Sequence, residues 1–197
     1  KGEVFEYFAK EVFSSQPKQV QEFLVRSSFI DLIEPGFMKD FLGIGDAEEI
    51  LRELVRKNLF VHSFYDEKNG WLFRYHQLFR YFLKTKFKTE IEEKERRSLS
   101  LKAAHLYEQR SDLENSVKYY LEAKAYPEAV PMIERLGTDL LQAGRRGDLV
   151  QWLHALPEET VQGNPWLLFF LTMTKGFMAG RENVVALERA YPLFKQK

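Results

Sequence analysis

A single change of hydrophobic period, between residues 60 and 75, constrains the fold of this chain more than any other feature. The segments 60–65 and 71–75 are rich in aromatic and β-branched residues, which favour strands. The five residues between them end in Asn69-Gly70, a sequence typical of a hairpin turn. The pattern predicts one short β-hairpin in an otherwise helical chain.

Helical patterns lie on both sides of this hairpin, because apolar residues recur there every three or four positions. Pro17 is well placed to begin one of these helices, and Asp46 offers an N-cap to another. The predicted helices cover approximately residues 4–12, 17–24, 37–42, 46–57 and 76–87. Several helices, a hairpin and a further helix in this order are typical of a winged-helix domain, in which the hairpin is the wing.

After residue 92 the sequence has no further strand pattern, and helical segments alternate with short breakers. Helix pairs begin near Lys94, Tyr126 and Pro165, close to the period of about 34 residues of a tetratricopeptide repeat. Ser116, Tyr120 and Ala123 fit the small-aromatic-small spacing of such a repeat. We therefore predict a mainly α fold, with a winged-helix domain at 1–91 and tetratricopeptide-like helical hairpins at 92–197. Ordinary helical packing is the alternative for the second part.

Composition excludes several classes of function. Lys and Arg together number 29, as do Asp and Glu, so no electrostatic signal for nucleic acid or a membrane surface exists. The chain has no cysteine, which excludes thiolate metal sites, and its four histidines are scattered, so no metal is expected. The longest apolar run, 165–171, is far shorter than the roughly 20 residues of a membrane span. A cytoplasmic protein without membrane contact is predicted.

Catalytic motifs are absent from the sequence. No lysine follows any of the 11 glycines, so the chain contains no P-loop, and neither H-E-x-x-H nor G-x-S-x-G occurs. No enzymatic activity is therefore predicted for these residues. The chain starts at Lys1 without methionine and stops within a predicted helix, 187–197, which suggests a piece of a longer protein.

Among the titratable residues, His76 is the strongest candidate for a functional role. It lies where the second strand of the hairpin passes into the next helix, and an imidazole at a helix N-terminus can donate a hydrogen bond to a phosphate. The alternative is a half-buried histidine that fills the junction. Arg80, Lys84 and Lys88 recur every four residues on one face of that helix, where a solvated face competes with binding of DNA phosphates. The recognition helix, 46–57, is too acidic for reading the major groove well.

A family resemblance adds to this interpretation. Residues 71–83 resemble the segment of MalT-type regulators that reads aromatic-Arg-Tyr-His-x-Leu-Phe-x-x-Phe-Leu. Further similar segments follow the order of that family along the chain, at residues 5–12, 19–24, 27–30, 51–60, 136–137, 152–157 and 164–167. The chain is therefore identified as a fragment similar to MalT-type, LuxR-family transcriptional regulators, which are signal-transducing ATPases with numerous domains (STAND).

The resemblance implies a domain order for the parent protein. An upstream nucleotide-binding domain precedes the winged helix, which closes over it and does not read DNA. Helical arm and sensor repeats follow, where an inducer or regulatory protein binds, and a C-terminal helix-turn-helix is the part that contacts DNA. ADP or ATP with Mg²⁺ would bind the parent, a slow ATPase switch, and no cofactor is expected in the fragment itself.

The same resemblance implies a role for His76. It is similar to the histidine of the Met-His-Asp motif of related switch ATPases, which contacts the β-phosphate of ADP and holds the inactive state. Tyr75 and Gln77 replace the flanking Met and Asp, so only the role of the histidine carries over. His76 is thus the expected nucleotide sensor, with Arg74 as a candidate second contact.

Two other functions stay open from the sequence. A winged helix that binds DNA would place Arg74, Arg80, Lys84 and Lys88 on phosphates, with the helical part serving for dimerisation. A repeat scaffold would instead recruit a protein partner through its helical hairpins. Trp152 and Trp166 are candidates for lining a ligand groove or for core packing, and the sequence assigns no inducer site.

Overall fold

A computed structural model describes residues 2–175, which form eleven helices and one antiparallel hairpin. The predicted mainly α fold with a single hairpin is confirmed. The chain divides into two compact units between Arg96 and Arg97. The domain boundary expected after residue 91 stays a prediction, and the helix expected at 187–197 lies outside the described residues.

The first unit has the element order of a winged helix. Its helices and strands are α1 (Gly2–Ser14), α2 (Lys18–Ser27), α3 (Pro35–Leu42), α4 (Ala47–Arg56), β1 (Val61–Asp66), β2 (Gly70–Tyr75) and α5 (Gln77–Glu90). Pro35 opens α3, and Gly43 ends it in the left-handed conformation, with φ of 73°. Asp46 occupies the predicted N-cap position of α4, but its side chain makes no capping hydrogen bond.

The hairpin has the predicted turn. One carboxylate oxygen of Asp66 accepts hydrogen bonds from the backbone N–H groups of Lys68, at 3.1 Å, and Asn69, at 2.8 Å. Gly70 then takes a φ of 76°, which a residue without Cβ adopts at little cost. This turn fixes the register, with Asp66 opposite Gly70 and Val61 opposite Tyr75.

A third segment pairs with the hairpin, which the sequence did not predict. Ile33 and Phe73 exchange two backbone hydrogen bonds of 2.9 Å, so the loop before α3 adds an isolated bridge beside β2. A single paired residue has no periodicity, which explains why the sequence pattern does not reveal it. The bridge completes the arrangement of helix, short strand, two helices and wing.

The core of the first unit is largely aromatic. Phe73, Phe79 and Leu83 are fully buried, and the Phe79 ring lies 5.4 Å from that of Phe60. Phe29 stacks on Phe87 with ring centroids 5.0 Å apart. Burial of these rings holds β2 and α5 against the helices that precede them.

The second unit is entirely helical within the described residues. Its helices are α6 (Glu93–Gln109), whose first four residues belong to the first unit, α7 (Leu113–Glu122), α8 (Tyr126–Gln142), α9 (Arg146–Ala155), α10 (Glu158–Gln162) and α11 (Pro165–Lys175). Three of the turns between them use one residue in the left-handed conformation, at Ser111, Lys124 and Gly144. At each turn the N–H groups of that residue and of the next one donate to carbonyls at the end of the preceding helix, which the helix leaves unpaired.

The predicted repeat positions are buried in this unit. Ser116, Tyr120 and Ala123 are at most 1% exposed, and the Ser116 hydroxyl donates to the carbonyl oxygen of Ala104 at 3.0 Å. Tyr120 donates to Glu108 at 2.6 Å, and burial together with this carboxylate raises the pKa of its phenol. The residues thus pack α7 against α6, while the assignment to tetratricopeptide-like repeats stays a prediction.

The described residues contain neither a helix that could span a membrane nor a cluster of metal-ligating side chains. No helix in the described part of the chain combines the length and the hydropathy needed to span a bilayer. Within residues 2–175, no three His, Asp or Glu side chains lie close enough together to hold a metal ion.

Candidate functional site

His76 connects the wing to α5. Its backbone N–H donates to the carbonyl oxygen of Phe60 at 2.7 Å, and it occupies the N-cap position of the helix. The side chain is exposed and makes no capping hydrogen bond, so it does not fill the junction as a half-buried residue. A ligand that approaches the beginning of α5 therefore meets this imidazole.

The neighbours of His76 explain why it faces outward. Tyr75 is 2% exposed, and its hydroxyl lies 2.7 Å from the Ser27 hydroxyl, which donates to the carbonyl oxygen of Phe23 at 2.6 Å. Burial raises the pKa of the Tyr75 phenol, so it stays neutral. Tyr75 and Phe79 anchor the junction from the inside, and His76 between them remains at the surface.

Two further basic side chains lie on the hairpin that ends at His76. His62 on β1 is directly opposite Arg74 on β2, and opposed residues of an antiparallel pair project from the same face. The rings of His62 and His76 are 6.2 Å apart, and all three side chains are exposed. We call His62, Arg74 and His76 the basic corner. Sequence analysis identified two of the three, and His62 could have been found from the register that the turn imposes.

The elements that form the basic corner carry little negative charge. The first turn of α5 has no acidic residue, and Asp66 is the only acid on either strand. That carboxylate is at the far end of the hairpin, where it accepts hydrogen bonds from the turn. The corner is therefore suited to an anion.

Arg80 does not lie on a solvated face of α5, contrary to the prediction. Its Nε donates to the carbonyl oxygen of Ser28 at 3.0 Å, one Nη donates to that of Phe29 at 3.3 Å, and it forms an ion pair with Asp31. The guanidinium thus fastens the loop after α2 to α5. Because these contacts occupy it, Arg80 is a poor candidate for a DNA phosphate contact.

We expect Arg80→Gln to destabilise the 197-residue chain by about 1–2 kcal/mol, because the loop carbonyls lose a charged donor that is only partly exposed. Urea denaturation measures this change. Lys88→Gln on the exposed side of the same helix is the control and should change the free energy of unfolding by less than about 0.5 kcal/mol. Equal stability of the two variants would contradict the structural role of Arg80.

The exposed face of α4 is also unsuited to DNA. Arg52 pairs with Glu48 at 2.7 Å and lies 4.9 Å from the centre of the Trp71 ring. Lys57 pairs with Glu53 at 2.5 Å, and this lysine lowers the pKa of the Glu53 carboxyl. Two of the three cations of the expected recognition helix, Arg52 and Lys57, are thus paired with its own carboxylates.

Exposed apolar side chains occur on the same hairpin and helix as the basic corner. Leu78 and Tyr81, on the first turns of α5, are 49% and 74% exposed, and Phe64 on β1 is 41% exposed. The Arg74 guanidinium carbon lies 5.9 Å from the centre of the Phe64 ring. We call Phe64, Leu78 and Tyr81 the apolar rim. Exposed large apolar side chains are frequent at interfaces with another protein surface.

The two tryptophans proposed for a ligand groove lie in the second unit. Trp152 on α9 is half-buried, and Trp166 on α11 packs against Phe170, with ring centroids 5.9 Å apart. Asn164 precedes Trp166 and caps α11, since its side-chain oxygen accepts from the N–H groups of Trp166 and Leu167. These contacts give Trp166 a packing role, and a ligand role for either tryptophan stays a prediction.

Comparison with known proteins supplies independent evidence. Residues 9–96 match the sequence model of the MalT winged helix domain. The chain is 27% identical over 176 residues to the HTH-type transcriptional regulators AlkS of Ectopseudomonas oleovorans and of Pseudomonas putida. The similarity covers 85% of the chain but 20% of each relative, so the chain spans about a fifth of the length of the curated relatives it matches.

Proposed function

We propose that this chain, whose residues 9–96 match the sequence model of the MalT winged helix domain, is the regulatory part of an ATP-dependent transcriptional activator. In this proposal the winged helix closes over a nucleotide-binding domain located upstream in the same protein. His76 contacts a phosphate of ADP bound there and stabilises the inactive state. The proposal is carried by one observation, the exposed position of His76 within the basic corner.

The chemistry of the corner supports phosphate as the ligand. Hydrogen bonds between a cationic donor and a phosphate are about twice as strong as neutral ones. Exposed N–H groups at the beginning of α5 add to the attraction, because the helix dipole is positive at that end. ADP and ATP with Mg²⁺ would be held by the upstream domain, and His76 would add a contact that depends on the closed arrangement.

The apolar rim supports a protein surface as the partner of this face. Phe64, Leu78 and Tyr81 together would bury apolar area that is exposed in the described part of the chain. A nucleotide bound between the upstream domain and the corner would then connect the two. Since a ligand shifts an equilibrium only by its differential affinity, this contact is what makes the identity of the nucleotide matter.

The second unit would relay a signal to this switch. The similarity to AlkS covers 85% of the chain, so it extends past the winged helix into the helical unit. In the proposal an inducer or regulatory protein binds this helical region and biases the same equilibrium. DNA would be contacted by a separate C-terminal helix-turn-helix domain, and the parent would act as a slow ATPase in the cytoplasm.

We expect His76→Ala in the full-length protein to release ADP at least about tenfold more readily than wild type, because a charge-assisted hydrogen bond is lost. Equilibrium dialysis with labelled ADP measures the retention. His154→Ala, at an exposed histidine of the second unit, is the matched control and should retain ADP like wild type. Unchanged retention by His76→Ala would refute the sensor role.

A further inference from the structure

The basic corner contains more hydrogen-bond donors than the contact of one histidine with one phosphate requires. We infer that the corner binds the diphosphate group of a nucleotide through all three side chains, with His62 as a contact residue in its own right. This inference rests on the proposed function, since it assumes that a nucleotide approaches His76.

The hairpin register supports a role for His62. His62 is paired with Arg74 across the two strands, which keeps both side chains on one face of the ribbon. The centres of the His62 and His76 rings are 6.2 Å apart. A phosphate oxygen between them can lie about 2.7–2.9 Å from one nitrogen of each ring, the usual distance of a charge-assisted hydrogen bond.

An anion explains this arrangement better than a metal ion does. Two exposed imidazoles alone could share a transition metal, but the Arg74 guanidinium on the same face would repel a cation. A guanidinium instead presents a planar pair of donors that matches two phosphate oxygens. The Arg74 guanidinium carbon lies 5.9 Å from the centre of the Phe64 ring, so this charge is on the wing.

Three donors on one surface also suit two phosphates better than one. A terminal phosphate can accept from both imidazoles, which leaves Arg74 for oxygens of the adjoining phosphate. The corner should therefore hold a nucleoside diphosphate much more tightly than a nucleoside monophosphate. No acid on the hairpin strands or in the first turn of α5 opposes this charge, apart from Asp66 in the turn.

The test uses full-length protein and two substitutions of one residue. We expect His62→Gln to weaken ADP binding about tenfold while changing AMP binding less than threefold, because the lost donor serves the terminal phosphate. His62→Lys restores a cationic donor and should keep ADP binding within about threefold of wild type. Calorimetric titration with ADP and with AMP measures each affinity, and thermal unfolding verifies that both variants fold.

The outcomes separate this inference from the proposed function. If His76→Ala loses ADP while His62→Gln binds it like wild type, the inference is overturned and the proposed function stands. If His62→Gln and His62→Lys lose ADP equally, His62 acts through shape rather than charge, which also overturns the inference. If wild-type protein binds no ADP, or if His76→Ala binds it as well as wild type does, the proposed function fails.

Discussion

Replacement of Phe79 by alanine is expected to cost the winged-helix unit about 3–5 kcal/mol, a large part of the 5–15 kcal/mol that stabilises a typical domain. Phe79 is fully buried, and its ring lies 5.4 Å from Phe60, 6.1 Å from Tyr75 and 6.2 Å from Phe82. The substitution leaves a cavity among aromatic side chains that hold the wing against α5. Urea denaturation followed by circular dichroism measures the loss.

Tyr81 provides the matched control for Phe79. It lies on the same helix and is also aromatic, but it is 74% exposed. Tyr81→Ala should therefore change the free energy of unfolding by less than about 0.5 kcal/mol. Similar costs for the two variants would mean that α5 buries a different face. Because Tyr81 belongs to the apolar rim, the same variant tests whether the rim contributes to the closed state in full-length protein.

In α5 the sequence pattern predicts the buried side of the helix but not the contacts of Arg80. The apolar period that includes Phe79 and Leu83 predicted the helix and its buried side, because side chains three and four positions apart share a face. For Arg80 the same spacing favours a solvated face over binding of DNA phosphates, but its guanidinium contacts the loop after α2. Its partners are carbonyl groups of residues 28 and 29, and no local pattern reveals contacts so distant in the sequence.

In the wing, too, the local pattern predicts the turn but not the contacts between strands. Its turn was predictable because Asn69 and Gly70 favour particular backbone angles whatever surrounds them. The position of His76 at the strand-helix junction followed from two adjacent local patterns. His62 is a candidate only when the strands are aligned, because the register places it opposite Arg74 and its ring 6.2 Å from that of His76. Local chemistry thus located the site, and tertiary pairing completed it.

In the helical unit, Gly137 belongs to a segment that resembles the MalT-type family, and the structure gives the physical reason for a glycine at this position. Gly137 is inside α8, where glycine costs about 1 kcal/mol relative to alanine. A Cβ added there would overlap the ring of Phe170 on α11, with the ring Cδ2 only 2.8 Å away. The glycine therefore permits close approach of α8 and α11, at the expense of local helix stability.

Gly137→Ala is accordingly expected to destabilise the chain by about 1–2 kcal/mol, since overpacking a buried site outweighs the better helix propensity of alanine. Gly147→Ala in α9 makes the same chemical change at an exposed position where an added Cβ meets nothing within 4 Å. It should stabilise the chain by about 0.5–1 kcal/mol. Denaturant titration of both variants therefore yields changes of opposite sign.

A second substitution distinguishes overpacking from a loss of backbone freedom at Gly137. If the Phe170 ring is the cause, Phe170→Leu should recover about 1 kcal/mol or more in the Gly137→Ala background, although alone it destabilises by leaving a cavity. The φ of Gly137 is not positive, so backbone strain offers no competing explanation. Additive effects of the two substitutions would contradict the packing account, because residues in contact are expected to show coupling.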